Sequence, residues 1–424
     1  MQWVRQVPVN TVKSDIFGKL LRNDGLFINR EVMRHSFMPE ILPHREREIG
    51  EIASIFVPAL RGETPSNIFI YGKTGTGKTA VTKFVGGELV KKGKEVGKHV
   101  NFIYINCEVV DTQYRLLQNI TNHLIDEWDE RIPFTGWPTD EVFSKLIHKI
   151  DKIGGVTVII LDEVDKLKGD EALYNLSRIN SQLKNAKVSI VGISNDLKFT
   201  EFLDPRVKSS LGEENLIFPP YDAAELQDIL RQRVDIALRP DSIDADVIPL
   251  CAALAAQEHG DARRALDLLR MSAEIAERQR ANCVTKSFVR LAQNKIEIDR
   301  VIEVIKTLPN HSKLILIAII LREHYDEKKG SVGFITTGEV YEIYKDLCKK
   351  TRSDELTQRR VADLISELDM LGIITARVIS KGRYGRTREI KLSADAEEIM
   401  SILKDDEVYS DLSNYKLNAQ TRLI

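Results

Sequence analysis

Eight consecutive residues carry the most specific chemistry in this chain. Gly72-Lys73-Thr74-Gly75-Thr76-Gly77-Lys78-Thr79 fits the pattern GxxxxGK[ST]. Glycines at 72, 75 and 77 free the backbone so that successive N–H groups, that of Thr76 among them, turn toward phosphate oxygens, and a helix starting there adds the positive end of its dipole. Lys78 is then placed to reach the β- and γ-phosphates of ATP or the β-phosphate of ADP, and Thr79 to ligate Mg²⁺. A chance glycine-rich turn of this form is expected with a probability on the order of one or two per cent in a chain this long.

A phosphate loop needs a partner that holds the metal and activates water. The run "VTVIILDEVDKL", Val156 to Leu167, is an apolar, β-branched strand closing on Asp162 and Glu163. Two carboxylates at the carboxyl end of a parallel strand form a Walker B arrangement, in which Asp162 organises Mg²⁺ and Glu163 polarises the attacking water. "KVSIVGISND" ends in the polar residues Ser194, Asn195 and Asp196, of which Asn195 is placed either to sense a γ-phosphate or simply to turn the chain.

These residues require a sheet whose strand ends converge. Ile68 to Tyr71, His99 to Glu108 and the two runs above alternate with helical stretches, the pattern of a doubly wound parallel sheet. With 424 residues, the chain has room for about three domains. Its 61 Lys and Arg against 63 Asp and Glu leave a net charge of −2, so a nucleic-acid surface must be local. Cys107, Cys251, Cys283 and Cys348 have no metal-like spacing, and the N-terminus does not read as a signal peptide. The longest apolar run, Leu314 to Leu321, is far shorter than the roughly 20 residues that span a bilayer. The expectation is a soluble, cytoplasmic protein with no membrane partner.

The C-terminal third reads independently. "SKLILIAIILREHY" from Ser312 is an apolar helix, "TTGEVYEIYKDLCKK" from Thr336 a second, and "LTQRRVADLISELDMLG" a third. In the third, Val361, Leu364, Ile365, Leu368 and Leu371 share one face, Gln358, Arg359 and Arg360 open the helix, and Gly372 stops it. "IITARVIS", "KGRYGR" and "TREIKLS" then form a hairpin, so the module is a winged helix. Between Arg377 and Lys391 lie six basic side chains, Arg377, Lys381, Arg383, Arg386, Arg388 and Lys391, against Glu389 alone. With Tyr384 and Gly385 at its tip, that wing is the local patch expected to lie against duplex DNA while the third helix enters the major groove. A winged helix used only for protein contacts is the alternative.

The order of motifs resembles the AAA+ ATPases. "ILPHREREI" from Ile41, "FPPYDAAELQDIL" from Phe218 and "GDARRALDLLR" from Gly260 are similar to the archaeal replication-initiator family related to eukaryotic origin-recognition subunits and the cell-division-control helicase loader. The resemblance runs from about residue 40 to residue 400. It implies an α/β AAA+ P-loop core with a parallel sheet, an α-helical lid and a C-terminal winged-helix domain. It puts His44, Arg45 and Tyr221 near the adenine, Arg233 on the first lid helix, and Arg263 reaching back to the phosphates as a second sensor, with Arg264 a solvated neighbour. An arginine finger is often found at the position of Ser210, which leaves Arg206 as the nearest candidate and sets efficient hydrolysis in a homo-oligomer in question. Thr112, Tyr114 and Arg115 fall where the family carries a DNA-contacting insertion.

The resulting division is an arm over 1–40, the core over 41–222, the lid over 223–298, the winged helix over 299–405 and a solvated tail over 406–424. "DIFGKLLRNDGLFINREVM" in the arm is expected to pack on the ATPase core. The function implied is an ATP-dependent replication initiator, a slow ATPase that uses nucleotide as a conformational switch. Its expected partners are double-stranded origin DNA, the replicative helicase and paralogous initiator subunits, at the nucleoid. A nucleotide-gated transcription regulator and a clamp-loader-like ATPase are the alternatives.

Overall fold

The computed structural model describes residues 25–211, 214–329, 335–380, 386–393, 395–404 and 409. The chain forms two compact units, Met1–Arg290 and Leu291–Ile424.

In the first unit, α1 (Glu46–Arg61) precedes β1 (Ile68–Tyr71), α2 (Lys78–Glu95), β2 (Val100–Asn106), α3 (Gln113–His123), α4 (Thr139–Ile153) and β3 (Gly155–Asp162). Then come α5 (Glu171–Ser177), β4 (Ala186–Ser194), α6 (Phe199–Phe202), α7 (Pro205–Leu211) and β5 (Glu214–Ile217). The strands stand in the order β2-β3-β4-β1-β5 and every pairing is parallel. Successive side chains along a strand point to opposite faces. Ile68, Ile70, Val158 and Ile160 therefore pack with Ile52 and Phe56 of α1 and Val81 and Val85 of α2. Phe69, Ile159 and Leu161 pack on the other side with Leu116 and Ile120 of α3 and Leu146 and Ile150 of α4. Burial on both faces is why these strands read as continuous apolar runs. Register sets Tyr71 beside Ser194 and Asn106 beside Asp162, which brings the carboxyl ends of β1 to β4 to one edge.

The lid begins at α8 (Ala223–Ala237), fixed by a capping box in which the Asp222 carboxylate accepts from the Glu225 N–H and the Glu225 carboxylate from the Asp222 N–H. It continues through α9 (Val247–Gln257) and α10 (Ala262–Arg278). After it comes α11 (Lys286–Thr307).

The arm corrects an expectation. Its described part lies on the lid, not on the parallel sheet: Phe27 bridges Leu238, and the Ile28 and Asn29 N–H groups donate to the Ala237 carbonyl at 2.8 and 3.1 Å. That carbonyl ends α8, where no further helical turn can satisfy it, so an extended segment supplies the donors. Val32 and Met33, in a short 3₁₀ turn (Arg30–Met33), are fully buried as a result. Residues 1–24 of the arm lie outside the described residues.

The second unit has α12 (Asn310–Lys329), β6 (Ile335–Thr336), α13 (Thr337–Thr351), α14 (Gln358–Met370), β7 (Ile374–Ser380), β8 (Arg386–Leu392) and α15 (Ala396–Lys404). Thr336 opens α13 with a capping box to Glu339, the Thr357 side chain caps α14, and Gly372 follows with φ 73°. Leu314 to Ile320 of α12, Tyr344 and Leu347 of α13, and Val361, Leu364 and Leu368 of α14 share one core. The wing is a three-stranded antiparallel sheet, β6-β8-β7, so the winged helix stands with one strand more than the hairpin. Two-residue β6 has no periodicity to read. Tyr409, in the stretch expected as a solvated tail, is buried in this core, and the tail's other residues from 406 on are outside the described ones. No described helix is long and apolar enough to cross a membrane.

Candidate nucleotide site and nucleic-acid interface

The glycine-rich loop turns because its glycines adopt backbone that other residues resist: φ is 76° at Gly75 and 91° at Gly77. Space enforces the same choice, since a Cβ at Gly75 would stand 1.7 Å from Oδ1 of Asp261. Lys78 closes the loop on itself. Its ammonium donates to the carbonyls of Gly72 at 2.6 Å and Lys73 at 2.8 Å, and to Oδ1 of Asn195 at 2.9 Å. Burial pushes the Lys78 ammonium down to about 8, against the opposing pull of Asp162.

Asp162 is shared. Its Oδ2 accepts from the Thr79 hydroxyl and from the Tyr104 phenol, each at 2.7 Å, and the Lys83 ammonium lies 3.5 Å from the Tyr104 ring centroid. Glu163 follows in the left-handed region, φ 55°, where a non-glycine residue is strained and such strain gathers at functional sites. Burial, Glu108 and Asp162 together hold the Glu163 carboxyl above the usual range. Asp165 ties this motif to the next strand end, accepting from the Ser194 hydroxyl at 2.8 Å and the Asn195 N–H at 3.4 Å.

A cavity of about 420 Å³ joins these residues to the lid and the arm. Thr74 to Ala80, Lys83, Asp162, Glu163 and Asn195 line one end, and Arg263 and Leu266 of α10 approach from the lid. The other end is walled by His35 to Pro39, Tyr221, Ile229 and Arg233. Among these, the sequence reading missed His35 to Pro39, Lys83, Ile229 and Leu266. Only the sequence position of the arm hinted at its segment, because the contacts that bring it here are non-local.

The expected base-side residues divide. Tyr221 lines the cavity, while Arg45, 2% exposed, lies behind the loop: its guanidinium donates to the carbonyls of Thr76, His44 and Pro219 and stacks 3.8 Å from the Tyr221 ring centroid. Arg45 is a brace under the phosphate loop. His44 pairs with Asp228 of α8 at 3.0 Å and is not in the lining. Arg233 is 7% exposed and spends two nitrogens on the Val32 and Phe37 carbonyls, at 3.1 and 3.3 Å. Its Nε has no acceptor among the described residues.

Arg264 is corrected outright. It is buried, 8% exposed, and its Nε and Nη2 meet the two Glu258 oxygens at 3.1 and 3.2 Å. α10 turns Arg264 inward, whereas the exposed Arg263 faces the cavity. Arg206 lies away from the cavity, with its fork on Asp204 at 2.8 and 3.1 Å and its side chain 71% exposed.

The residues present fit a nucleotide. The loop offers backbone donors around a buried cation, and Thr79 and Asp162 set two hard oxygens side by side as Mg²⁺ requires.

The nucleic-acid candidates are less uniform. Thr112 precedes α3 without a side-chain capping bond, and the Tyr114 phenol donates to the Pro133 carbonyl at 2.9 Å while its ring packs on the core. Arg115 is half-buried beside them. Gln358, Arg359 and Arg360 are exposed on the first turn of α14, with Arg360 3.5 Å from Glu367. Arg377 and Lys391 are exposed on the wing strands. Arg388 is turned inward: it donates to the Ala362 carbonyl at 2.7 Å and to the Ser366 hydroxyl, holding β8 to α14. Lys381, Arg383, Tyr384 and Gly385 lie outside the described residues, as does the side chain of Arg386, whose backbone opens β8 opposite Ser380.

Family profiles match three stretches: an AAA domain over residues 61–198, a Cdc6 AAA+ ATPase-type lid domain over 227–294, and the CDC6 C-terminal winged helix domain over 303–402. ORC1-type DNA replication protein 1 of Methanosarcina acetivorans is 58% identical over 404 residues, covering 95% of this chain and 96% of that protein. The ORC1-type DNA replication protein of Pyrococcus furiosus is 54% identical, covering 96% and 97%. Among solved structures, the Aeropyrum pernix ORC1 protein in complex with DNA superposes with a TM-score of 0.73 at 46% identity, over 91% of this chain and 98% of that one. The chain belongs to the family of ORC1-type DNA replication proteins.

Proposed function

We propose that this chain is an ATP-controlled replication initiator that binds origin duplex DNA and helps recruit or load the replicative helicase. The observation that carries the reading is the cavity lined at once by the phosphate loop, the strand-end residues Asp162 and Asn195, and Arg263 of the lid. A ligand there is touched by two parts of the fold that can move relative to each other, which is what a switch needs.

Bound Mg²⁺ and ATP would supply the phosphoryl group and the charge that the two parts sense. Gly72, Gly75, Thr76 and Gly77 would offer the phosphate cradle. Lys78 would hold the phosphates, and Thr79 and Asp162 the metal. Glu163, whose carboxyl is held above the usual range by burial and by Glu108 and Asp162, would orient water. Asn195, already joined to Lys78, and Arg263 would tell a triphosphate from a diphosphate. Arg206, exposed and outside this chain's own cavity, is free to act on a neighbouring copy or a paralogous subunit, which favours slow hydrolysis in a lone chain.

Duplex contact is proposed for the first turn of α14, with Gln358, Arg359 and Arg360, for the wing tip from Lys381 to Arg386, and for Thr112, Tyr114 and Arg115 of the core. That the 46% identical Aeropyrum pernix protein is solved in complex with DNA supports DNA contact as such, and with it a place at the nucleoid.

The test is footprinting on fragments of the parent genome with ATP and with ADP. Protection of a site within a replication origin, altered by the nucleotide, is the expected result. Protection confined to promoters would favour a transcription regulator, and binding without sequence preference a clamp-loader-like ATPase.

A further inference from the structure

The arm that walls the cavity is pinned to the lid at several points. The His35 ring stands 3.3 Å from Asp267 of α10, Arg30 pairs with Glu277, the Gln232 amide donates to the Ile41 carbonyl at 3.1 Å, and His44 meets Asp228. Most of these groups are exposed and screened, so each contributes little. Arg233 differs. It is buried, it bridges the Val32 carbonyl before the cavity-lining segment and the Phe37 carbonyl within it, and its guanidinium carbon lies 4.8 Å from the Phe37 ring centroid. The segment it holds, His35 to Pro39, forms the wall opposite the phosphate loop.

We infer that Arg233 is a positioning residue that clamps the arm over the base end of the nucleotide cavity and thereby sets how long a nucleoside diphosphate stays bound. The inference rests on the nucleotide reading above. A planar guanidinium can donate to two carbonyls and face an aromatic ring at once, whereas an ammonium is a point charge that cannot span both. Removing the clamp leaves the phosphate loop untouched, because Lys78, Thr79 and Asp162 make no bond to Arg233 or to the arm. Loss therefore falls on ligands that carry a base and sugar and spares those that are phosphate alone.

The experiment measures release of a ribose-labelled fluorescent ADP from the full-length protein by stopped flow, alongside the affinity for inorganic tripolyphosphate. Arg233→Lys keeps the charge and loses the bridge, and Phe37→Leu removes the ring while leaving the carbonyl. Arg233→Lys is expected to release the labelled ADP at least about tenfold faster, the effect of losing roughly one charge-assisted hydrogen bond, and Phe37→Leu, which loses only the ring contact, about two- to fivefold faster. Tripolyphosphate affinity should stay within about twofold, and thermal melting checks that each variant is folded. Unchanged release in two folded variants overturns the inference. So does an equal loss for tripolyphosphate and ADP, which would make Arg233 a support for the whole site. Wild-type protein that holds no ADP would instead sink the nucleotide reading itself.

Discussion

The two ends of the cavity are built around the same device, a buried cation whose donors are spent on backbone carbonyls. At one end Lys78 donates to carbonyls five and six residues before it. At the other, Arg233 donates to carbonyls 196 and 201 residues away. The physics is alike, since a buried charge must be hydrogen-bonded to be tolerated. The sequence separation is not, and it decides which end can be read from the chain and which end can open. A cation holding its own loop stiffens that loop; a cation joining two distant segments makes a latch.

The sharpest way to break the comparison is Lys78→Ala. Removing the cation that carries the phosphate charge should weaken ADP binding by about a hundredfold or more, on the order of 3 kcal/mol, measured by calorimetry. An affinity within tenfold of wild type would mean that the phosphate end is not where the nucleotide is held. Next in size is Gly75→Ala, which probes how closely the lid meets the loop. The Ala262 N–H donates to the Gly75 carbonyl at 3.2 Å, and the new methyl would collide with the Asp261 carboxylate that caps α10. A cost of about 1–3 kcal/mol is expected from the left-handed backbone alone, seen as a lower melting temperature. Faster hydrogen exchange at the start of α10 should accompany it, and unaltered exchange there would separate lid from loop.

The same contrast explains what was legible. The phosphate loop, the Asp162 strand and Asn195 form local patterns, each a strand followed by polar residues, so the parallel sheet that gathers them could be read from the chain. The winged helix was readable because its helices carry clean apolar faces and true caps at Thr336 and Thr357. Long-range partners left no local mark. Nothing near Arg233 announces Val32 or Phe37, nothing near Asp165 announces Ser194, and Arg264 differs from Arg263 only in which side of α10 it occupies. Counting charges in the wing had the same weakness: a run of basic residues does not say which of them are consumed at home.

Arg388 tests that last point in the other unit. It ties β8 to α14 through the Ala362 carbonyl and Ser366 hydroxyl, so it fixes the angle between wing and helix. Arg388→Ala should cost about 1–2 kcal/mol in denaturant unfolding, from the lost bonds. It should also weaken duplex binding without reducing its salt dependence, because a residue that touches no phosphate releases no counterion. A fall of about one unit in the salt slope would place Arg388 on the DNA.

The smallest effect is expected at Arg206, the cation that is neither buried nor bound to a carbonyl through its side chain. Its fork rests on Asp204 and its guanidinium lies 5.2 Å from the Tyr174 ring centroid, all at the surface. Arg206→Ala should therefore leave ADP affinity and melting temperature unchanged in dilute protein, where only this chain's own cavity is sampled. If the residue serves a neighbour, wild-type hydrolysis per chain should rise with protein concentration and the variant's should not. Addition of a hydrolysis-dead Lys78→Ala chain that retains Arg206 should then restore the variant's rate, since the arginine and the lysine would come from different copies. A rate that is flat with concentration for both proteins would make Arg206 a surface residue with no part in hydrolysis.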